Sequence, residues 1–286
     1  MDTSKIMLKI VSSNFKDLLE PNMEIRAFPD GERHVRILNF EKYKDQKVTI
    51  YHRLYPDLHT SLVELLFILE SLKNINSEIT VFTPYLPYSR QDKVMVEGEI
   101  KSAEAVCKLL ADAGCKKLIT LDCHFSTAEG EFNYGGLIIK NISLHQELVN
   151  YAKKLFNGEE FEVVGPDEGA KYMTQLHGGK HMRKSRQGYD QQGVAYRNID
   201  TMETDHEFSN KNVLILDDII STGATMLKAL KIIKDQKAKK VICAATHGLF
   251  AGDALEKLQK VCNSIFVTDS IPNEVSKVSI KNRLND

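Results

Sequence analysis

The sequence predicts an α/β protein made of two tandem, doubly wound parallel sheets. Two observations predict this class: short apolar runs without the polar alternation of half-exposed strands, and segments of helical periodicity between these runs. A length of 286 residues also reaches the size at which chains divide into two cores. We therefore expect two domains, residues 1–142 and 143–286, with the last residues packing back on the first domain.

In the first domain, one βαβ unit is predicted directly from the pattern. Residues 78–85 and 116–122 are short apolar runs typical of buried strands. Between them, residues 102–113 have helical spacing, with Ser102 as the expected N-cap and Gly114 just past the end.

The second domain repeats the alternation more regularly. A helix is expected over residues 144–156, where Ser143 and Gln146 have the spacing of a capping box. The rest of the domain alternates strand and helix, with predicted strands at 161–165, 212–218, 240–248 and 264–269 and predicted helices at 168–178, 224–235 and 253–262.

Composition excludes several classes of protein. Apolar residues make up 42% and charged residues 27% of the chain, which is typical of a globular domain. The formal net charge of -1 gives no broad basic field for nucleic acid, and no apolar stretch is long enough to cross a bilayer. The five cysteines, which include no CxxC pair, indicate reduced thiols, and we expect a cytoplasmic protein.

The stretch "VLILDDIISTGAT" combines two binding functions. Asp217 and Asp218 provide acceptors for the vicinal hydroxyls of a sugar. The small polar turn that follows, at the start of a helix, provides N–H groups and hydroxyls for a phosphate, from Ser221, Thr222, Gly223 and Thr225. A ribose 5-phosphate unit satisfies both halves; the alternative is an acidic strand end followed by a Ser/Thr helix cap.

This stretch resembles the ribose-phosphate loop shared by type I phosphoribosyltransferases and ribose-phosphate diphosphokinases (ribose-phosphate pyrophosphokinases, PRPP synthetases). The resemblance implies the type I phosphoribosyltransferase-like fold and a ribose 5-phosphate site at Asp217, Asp218 and residues 221–225. Ala224 replaces the usual second glycine of the loop, and Ser221 replaces an aspartate found in many members. We expect altered phosphate geometry from these two changes, without loss of binding.

The segment "FPDGERHVRI" at residues 28–37 resembles the part of the diphosphokinases that holds the adenine of ATP, often across a subunit boundary. Phe28 offers a face for stacking, and Asp30 and Glu32, on either side of Gly31, can accept hydrogen bonds from the exocyclic amine. The alternative is a Pro-Asp-Gly turn that leads into a strand.

A second ATP-binding segment is "PYLPYSRQDK" at residues 84–93. Arg90 and Gln91 match the Arg-Gln pair of the diphosphokinase family, and a guanidinium can bind a phosphate oxygen pair. The alternative is ordinary solvated loop charge. The following stretch, "VMVEGEIKSAE", departs from the more basic Ser-Arg segment involved in phosphate activation and nucleotide inhibition in many members, so the sequence leaves open whether that control exists here.

The resemblance implies Mg²⁺ as the cofactor. His124 and Asp167 each follow an apolar run and match the family's magnesium positions. The resemblance also implies that His124 is part of the ATP-binding site. Mg²⁺ prefers oxygen ligands and retains waters, so one carboxylate and one imidazole suffice when ATP supplies phosphate oxygens. Without the resemblance, a single histidine there is more often a structural hydrogen-bonding residue.

Catalytic charge is expected from "HMRKSRQGYDQQG". Lys184 and Arg186 match the Lys-x-Arg of the family's flexible catalytic loop, with Arg186 also near the sugar phosphate. A solvated hairpin carrying surface charge is the alternative.

These residues together predict an ATP-dependent ribose-phosphate diphosphokinase that converts ribose 5-phosphate to 5-phosphoribosyl 1-diphosphate and AMP. The chain has no Walker A loop and no GxGxxG motif after a strand, so ATP is expected to bind without either. The resemblance further implies a homo-oligomer, from dimer to hexamer. Two alternatives are a type I phosphoribosyltransferase and a catalytically silent regulatory homologue.

Overall fold

A computed structural model describes residues 7–185 and 201–286. These residues group into two compact units. Unit 1 comprises the described residues through Ile142 together with Lys281–Asp286, and unit 2 comprises Ser143–Ile280. Within the described ranges, no helix is long and apolar enough to cross a membrane.

Unit 1 is built on a six-stranded sheet and two helices. Its strands and helices are β1 (Leu8–Val11), β2 (Met23–Ala27), β3 (Arg33–Ile37), β4 (Lys47–Tyr51), α1 (Leu58–Lys73), β5 (Glu78–Phe82), α2 (Ser102–Asp112), β6 (Cys115–Leu121), β7 (Gly130–Tyr134) and β8 (Leu137–Ile142). The sheet order is β1-β4-β5-β6-β8-β7, and all neighbours are parallel except β7 and β8. The strand order therefore advances in one direction from β1 to β6.

The helix α1 covers this sheet through one apolar face. Leu65, Ile68, Leu69 and Leu72 are fully buried and recur at the three- and four-residue spacing of a helix. They pack in one cluster with residues of the central strands, such as Ile50. Burying such a side chain contributes about 1.5–3 kcal/mol, so this face determines where α1 lies.

The strands β2 and β3 form a separate antiparallel hairpin, paired from Met23↔Ile37 to Ala27↔Arg33. Its turn is closed by Phe28 N–H donating to the Glu32 carbonyl at 2.8 Å. Gly31 takes a positive φ of 94°, a conformation that glycine adopts without strain.

Unit 2 contains a second six-stranded sheet. Its elements are α3 (His145–Leu155), β9 (Glu162–Gly165), α4 (Lys171–Gln175), β10 (Lys180–His181), β11 (Arg183–Ser185), β12 (Thr201–Glu203), β13 (Asn212–Ile220), α5 (Ala224–Asp235), β14 (Lys240–Gly248), α6 (Ala254–Val261), β15 (Ser264–Thr268) and β16 (Ser276–Val278). The sheet order is β10-β9-β13-β14-β15-β16, all parallel, while β11 and β12 pair as a short antiparallel ribbon. The strand order changes direction at β9, so the carboxyl ends of β9 and β13 meet at the switch point where such sheets bind ligands.

The strand β13 is buried on both faces, as its unbroken apolar run predicts. Val213 and Ile215 pack in a cluster with Met226 of α5. Leu214 and Leu216 pack on the opposite face in a cluster with Leu148, Val149 and Ala152 of α3. Alternate side chains therefore enter two separate cores, and this burial on both faces fixes the register of the strand.

The predicted α/β class with parallel sheets is confirmed, and α5 and β14 have the predicted bounds. Gly114 lies just past the end of α2 as predicted, but both predicted N-terminal caps were wrong. Lys101, and not Ser102, occupies the N-cap of α2. The helix α3 has Leu144 at its N-cap, and the Gln146 side chain donates to Asn150, so the helix begins too late in the chain for a Ser143–Gln146 box.

Two further sequence predictions differ from the structure. The predicted helix over residues 168–178 is a 3₁₀ turn at Glu168–Ala170 followed by the short α4. The sequence did not predict the antiparallel edge strand β7. Its connection to β8 is a two-residue turn in which Gly135 and Gly136 have φ of 60° and 78°, a geometry that Gly-Gly favours.

Candidate active site

The centre of the candidate site in unit 2 is the pair of carboxylates on β13. The strand continues to Ile220, so Asp217 and Asp218 lie within it and do not follow it. They are 8% and 6% exposed, respectively. The Asp218 N–H donates to Asp217 Oδ1 at 3.0 Å, and the Ile219 N–H donates to Asp218 Oδ1 at 2.8 Å. These bonds hold two neighbouring acids in fixed orientations.

The electrostatic environment of Asp217 is unfavourable to its charge. Burial raises its pKa well above the usual range, and the charges of Asp218 and Asp167 raise it further. The two carboxylates and Asp167 therefore act on one another within unit 2, as expected where the ends of β9 and β13 meet. A ligand that brings hydrogen-bond donors or positive charge would relieve this repulsion.

Asp167 lies in the turn after β9. Its Oδ1 accepts the Gly169 N–H at 2.8 Å, which fixes the carboxylate against the 3₁₀ turn that follows. A Cβ atom on Gly169 would lie 3.0 Å from that same oxygen, so the turn leaves little room for a side chain. The side chain of Asp167 is half-buried, at the carboxyl end of the sheet where the sequence predicted it.

The predicted phosphate loop connects β13 to α5. Gly223 is the N-cap of α5, with φ of 74°, and its carbonyl accepts the Leu227 N–H at 2.8 Å. The Ser/Thr helix cap of the alternative interpretation is absent from this helix start, because Gly223 occupies the N-cap position. Thr222 and Ala224 on either side are exposed, and Ser221 and Thr225 are half-buried. The first turn of α5 thus presents N–H groups at the positive end of a twelve-residue helix.

The segment that follows β14 is hydrogen-bonded to this loop, and the sequence did not predict this contact. The Leu249 and Phe250 N–H groups both donate to the Ile220 carbonyl, and the Ala251 N–H donates to the Ser221 carbonyl at 3.1 Å. One feature of the sequence could have indicated this contact: a glycine ends the apolar run of β14 at the same edge of the sheet. Residues 249–251 are therefore positioning residues for the loop.

The predicted adenine-binding residues lie at the tip of the β2–β3 hairpin in unit 1. Phe28 is 49% exposed and packs edge-on against His34, with ring centroids 5.8 Å apart. Asp30 Oδ1 accepts the Glu32 N–H at 3.1 Å, so one carboxylate oxygen of Asp30 shapes the turn. Glu32 is exposed. The segment is a turn that leads into a strand, as the alternative interpretation held. The same turn also presents an accessible aromatic ring beside two acidic residues.

The other ATP residues of unit 1 follow two neighbouring parallel strands. Arg90 and Gln91 are exposed in the loop after β5, in a turn closed by Gln91 N–H donating to the Tyr88 carbonyl at 2.8 Å. His124 is half-buried in the turn after β6. Because β5 and β6 are adjacent, both groups arise at the same edge of this sheet.

The predicted catalytic loop is described only in part. Lys184 lies in β11, paired with Met202 of β12. Arg186 lies outside the described residues, so its predicted role remains a prediction.

Two of the predicted site residues carry atoms that can bind a metal ion. Asp167 offers carboxylate oxygen and His124 offers imidazole nitrogen, one in each unit. Among residues 7–185 and 201–286, no group of three or more His, Cys, Asp or Glu side chains is arranged to hold a metal.

Comparison with known proteins identifies the family. A family model described as the N-terminal domain of ribose phosphate pyrophosphokinase matches residues 4–114, and one described as the phosphoribosyl transferase domain matches residues 180–282. The ribose-phosphate pyrophosphokinase of Pyrococcus furiosus is 38% identical over 267 residues, which are 91% of this chain and 89% of that protein. The chain belongs to the ribose-phosphate pyrophosphokinase family. The family predicted from the sequence motifs is therefore confirmed.

Two further relatives agree with membership of the ribose-phosphate pyrophosphokinase family. The ribose-phosphate pyrophosphokinase of Pyrococcus abyssi is 35% identical over 265 residues, 91% of this chain and 87% of its own. A crystal structure of phosphoribosylpyrophosphate synthetase from Mycobacterium smegmatis matches with a TM-score of 0.80 at 24% identity, covering 97% of this chain and 96% of that one. At that identity the structural match shows the shared fold.

Proposed function

We propose that this protein is an ATP-dependent ribose-phosphate diphosphokinase, which transfers the diphosphoryl group of ATP to the C1 hydroxyl of ribose 5-phosphate. The observation that carries the proposal is the presence of both halves that the reaction needs. A phosphate loop beside two buried acids lies in unit 2, and the N-terminal family domain matches unit 1. A phosphoribosyltransferase domain alone would account only for the first half.

In unit 2, Asp217 and Asp218 accept hydrogen bonds from the ribose hydroxyls, and the loop of residues 221–225 binds the 5-phosphate. The buried acids suit this role because a sugar brings O–H donors to carboxylates that repel one another. The N–H groups at the start of α5 supply the donors that a phosphate needs. Ala224, the first residue of α5, adds its methyl group at an exposed position.

In unit 1, the exposed ring of Phe28 stacks on adenine while Asp30 and Glu32 accept from its amine. Arg90 and Gln91 bind the phosphates from the loop after β5, and His124 contributes from the turn after the adjacent strand β6. ATP is the proposed nucleotide because its purine amine is a donor that matches the two acids.

The family generally needs a divalent metal ion. We propose Mg²⁺, held by His124, Asp167 and the phosphates of ATP, where it would neutralise charge on the transferred group. The chain's own part is mostly placement of the hydroxyl in line with the β-phosphorus, together with positive charge from Lys184 and Arg186. AMP is the leaving group.

The protein is further proposed to act as a homo-oligomer, between dimer and hexamer, because the exposed hairpin tip is available to a neighbouring subunit. Sedimentation at several concentrations measures the assembly state. A monomer at every concentration would exclude this part of the proposal.

The decisive experiment incubates the purified protein with ATP, ribose 5-phosphate and Mg²⁺ and measures AMP. We expect equal amounts of AMP and 5-phosphoribosyl 1-diphosphate. A phosphoribosyltransferase would form no AMP from ATP and ribose 5-phosphate, because it consumes that diphosphate together with a nucleobase. A silent homologue would do neither, and either result would exclude the proposed function.

The role of the catalytic loop has its own test. Replacing Lys184 with alanine removes charge that is needed as the diphosphoryl group moves, so we expect kcat to fall by about 10²-fold or more. Calorimetric titration should show ATP binding nearly unchanged. Arg183→Ala, one residue away in β11, is the matched control and should retain most turnover. Unchanged turnover in the Lys184 variant would refute the loop assignment.

A further inference from the structure

The β2–β3 hairpin lies outside the six-stranded sheet of unit 1. It forms its own two-stranded sheet and is not hydrogen-bonded into the six-stranded sheet of unit 1. Toward its base, Met23 is buried in the core, and Ile25, Val35 and Ile37 pack partly against it. These contacts fix the base but do not reach the exposed tip.

A cleft of about 590 Å³ lies between the hairpin and α1 and runs from Phe28 at the tip to Ile37 near the base, with Phe67 on the α1 side. The rings of Phe28 and Phe67 are each 49% exposed. Apolar packing is therefore incomplete where the proposed adenine-binding residues lie.

One ion pair crosses from the tip end of the hairpin to α1. Arg33 Nε donates to Glu64 Oε1 at 2.5 Å, and a terminal nitrogen of the same guanidinium lies 2.5 Å from the same oxygen. The side chain of Glu64 is 4% exposed and that of Arg33 is 28% exposed. A carboxylate buried to this extent is strongly destabilising when its partner is removed.

Within the described residues, one other ionisable side chain, His52, lies within 4 Å of the Glu64 carboxylate, and it does not supply a compensating positive charge. His52 Nε2 lies 3.9 Å from Glu64 Oε2, but it donates to the Ser61 carbonyl at 2.9 Å. Burial lowers the pKa of His52 to about 4, so the ring is neutral at pH 7. Arg33 is therefore the cation that compensates Glu64.

The position of Arg33 connects this pair directly to the tip. It follows Glu32, whose carbonyl accepts the Phe28 N–H and closes the turn, and it pairs with Ala27 across the hairpin. We propose that Arg33 is a positioning residue, and that its buried ion pair with Glu64 holds the hairpin tip in the orientation that binds the nucleotide. This inference rests on the proposed function, since it takes the tip as the adenine site.

The same hairpin provides matched controls. Arg36 lies three residues further along β3, but its contact with Glu24 is a surface pair at 3.8 Å, with 65% of the Arg36 side chain exposed. Exposed pairs of this kind contribute little. Arg36→Met therefore removes the same charge from the same strand without removing a buried partner.

The test compares Arg33→Met and Arg36→Met by hydrogen–deuterium exchange and by steady-state kinetics. For Arg33→Met we expect faster exchange of the amides at residues 24–36 and a KM for ATP raised by about tenfold or more, because small misplacements of binding groups are costly. The KM for ribose 5-phosphate should stay within about twofold, since its site lies in unit 2. Arg36→Met should match the wild-type protein in all three measurements.

Two further variants keep the inference testable if Arg33→Met fails to fold. Glu64→Gln retains the shape and removes the buried charge, so it should raise the KM for ATP while remaining folded. Arg33→Lys retains the charge and should recover part of the loss. Unchanged exchange and KM in these variants would overturn the inference. Faster exchange with an unchanged KM for ATP would also overturn it, whereas an absence of AMP formation by the wild-type protein would instead refute the proposed function.

Discussion

At the scale of single residues, the buried acids of unit 2 that are proposed to bind ribose also lower the stability of the fold when they are charged. Because its pKa is raised, Asp217 binds its proton more tightly in the folded than in the unfolded protein. Folding stability therefore falls as pH rises from about 4, the unfolded value, through the raised pKa. The repulsion that Asp218 and Asp167 exert on Asp217 develops as Asp217 loses its proton and disappears when Asp217 binds it again.

The variant Asp217→Asn should separate these effects. The amide keeps an acceptor for the Asp218 N–H but removes the charge, so we expect the free energy of unfolding at pH 8 to rise. Thermal melts of the two proteins should converge as the pH falls toward about 4. The KM for ribose 5-phosphate should rise by about tenfold or more, since hydrogen bonds to charged groups are the stronger ones. A variant less stable at pH 8 would contradict the repulsion.

Sequence reasoning could find these residues but not their environment. Two acids and a small polar turn beside an apolar run are a local pattern, so the sequence alone could single out Asp217, Asp218 and the loop, although the strand extends past both acids. The influence of Asp167 on Asp217 acts across a fifty-residue separation and depends on the pairing of β9 with β13. A local pattern does not contain that pairing. Glu64 and Arg33, thirty-one residues apart, went unnoticed for the same reason.

At the scale of elements, the packing of α5 against α6 explains why the loop needs its glycine. Gly223 has φ of 74°, and a Cβ there would lie 3.2 Å from Leu258 Cδ1 of α6. Gly223→Ala should cost about 1–2 kcal/mol for the left-handed backbone alone and should also raise the KM for ribose 5-phosphate. Ala224→Gly is the control: it replaces an exposed first helix residue and should cost no more than about 1 kcal/mol. Chemical denaturation of both variants checks the order, and equal stability would contradict the packing argument.

Elements with strong local signals were predicted best. The helix α5 and the strand β14 begin and end as predicted because each has a clear period and a clear boundary. The N-terminal caps of α2 and α3 were each misplaced by one residue, since tertiary packing decides where a helix starts. The sequence could not give the strand order, because pairing in a parallel sheet joins segments far apart in the chain.

At the scale of the whole molecule, the chain leaves unit 1 at Ile142 and returns to it for its last six residues. The Tyr51 hydroxyl on β4 donates to the Leu284 carbonyl at 2.7 Å, and Lys9 on β1 donates to the Asn285 side chain at 2.9 Å. Each of the hydrophobic clusters draws its residues from one unit alone. The two units therefore have separate cores although one of them is built from both ends of the chain.

Because the last six residues belong to unit 1, a substitution among them should lower the stability of unit 1, which is otherwise formed by the first half of the chain. Leu284 is 4% exposed, and Leu284→Ala should cost about 2–4 kcal/mol through lost burial and a residual cavity. Because Leu284 groups with unit 1, hydrogen exchange should accelerate in β1 and β4 and stay unchanged in β13 and β14. Asn285→Ala removes only an exposed hydrogen bond and should leave both units as they are. Faster exchange in β13 alone would mean that the last residues stabilise unit 2, contrary to this grouping.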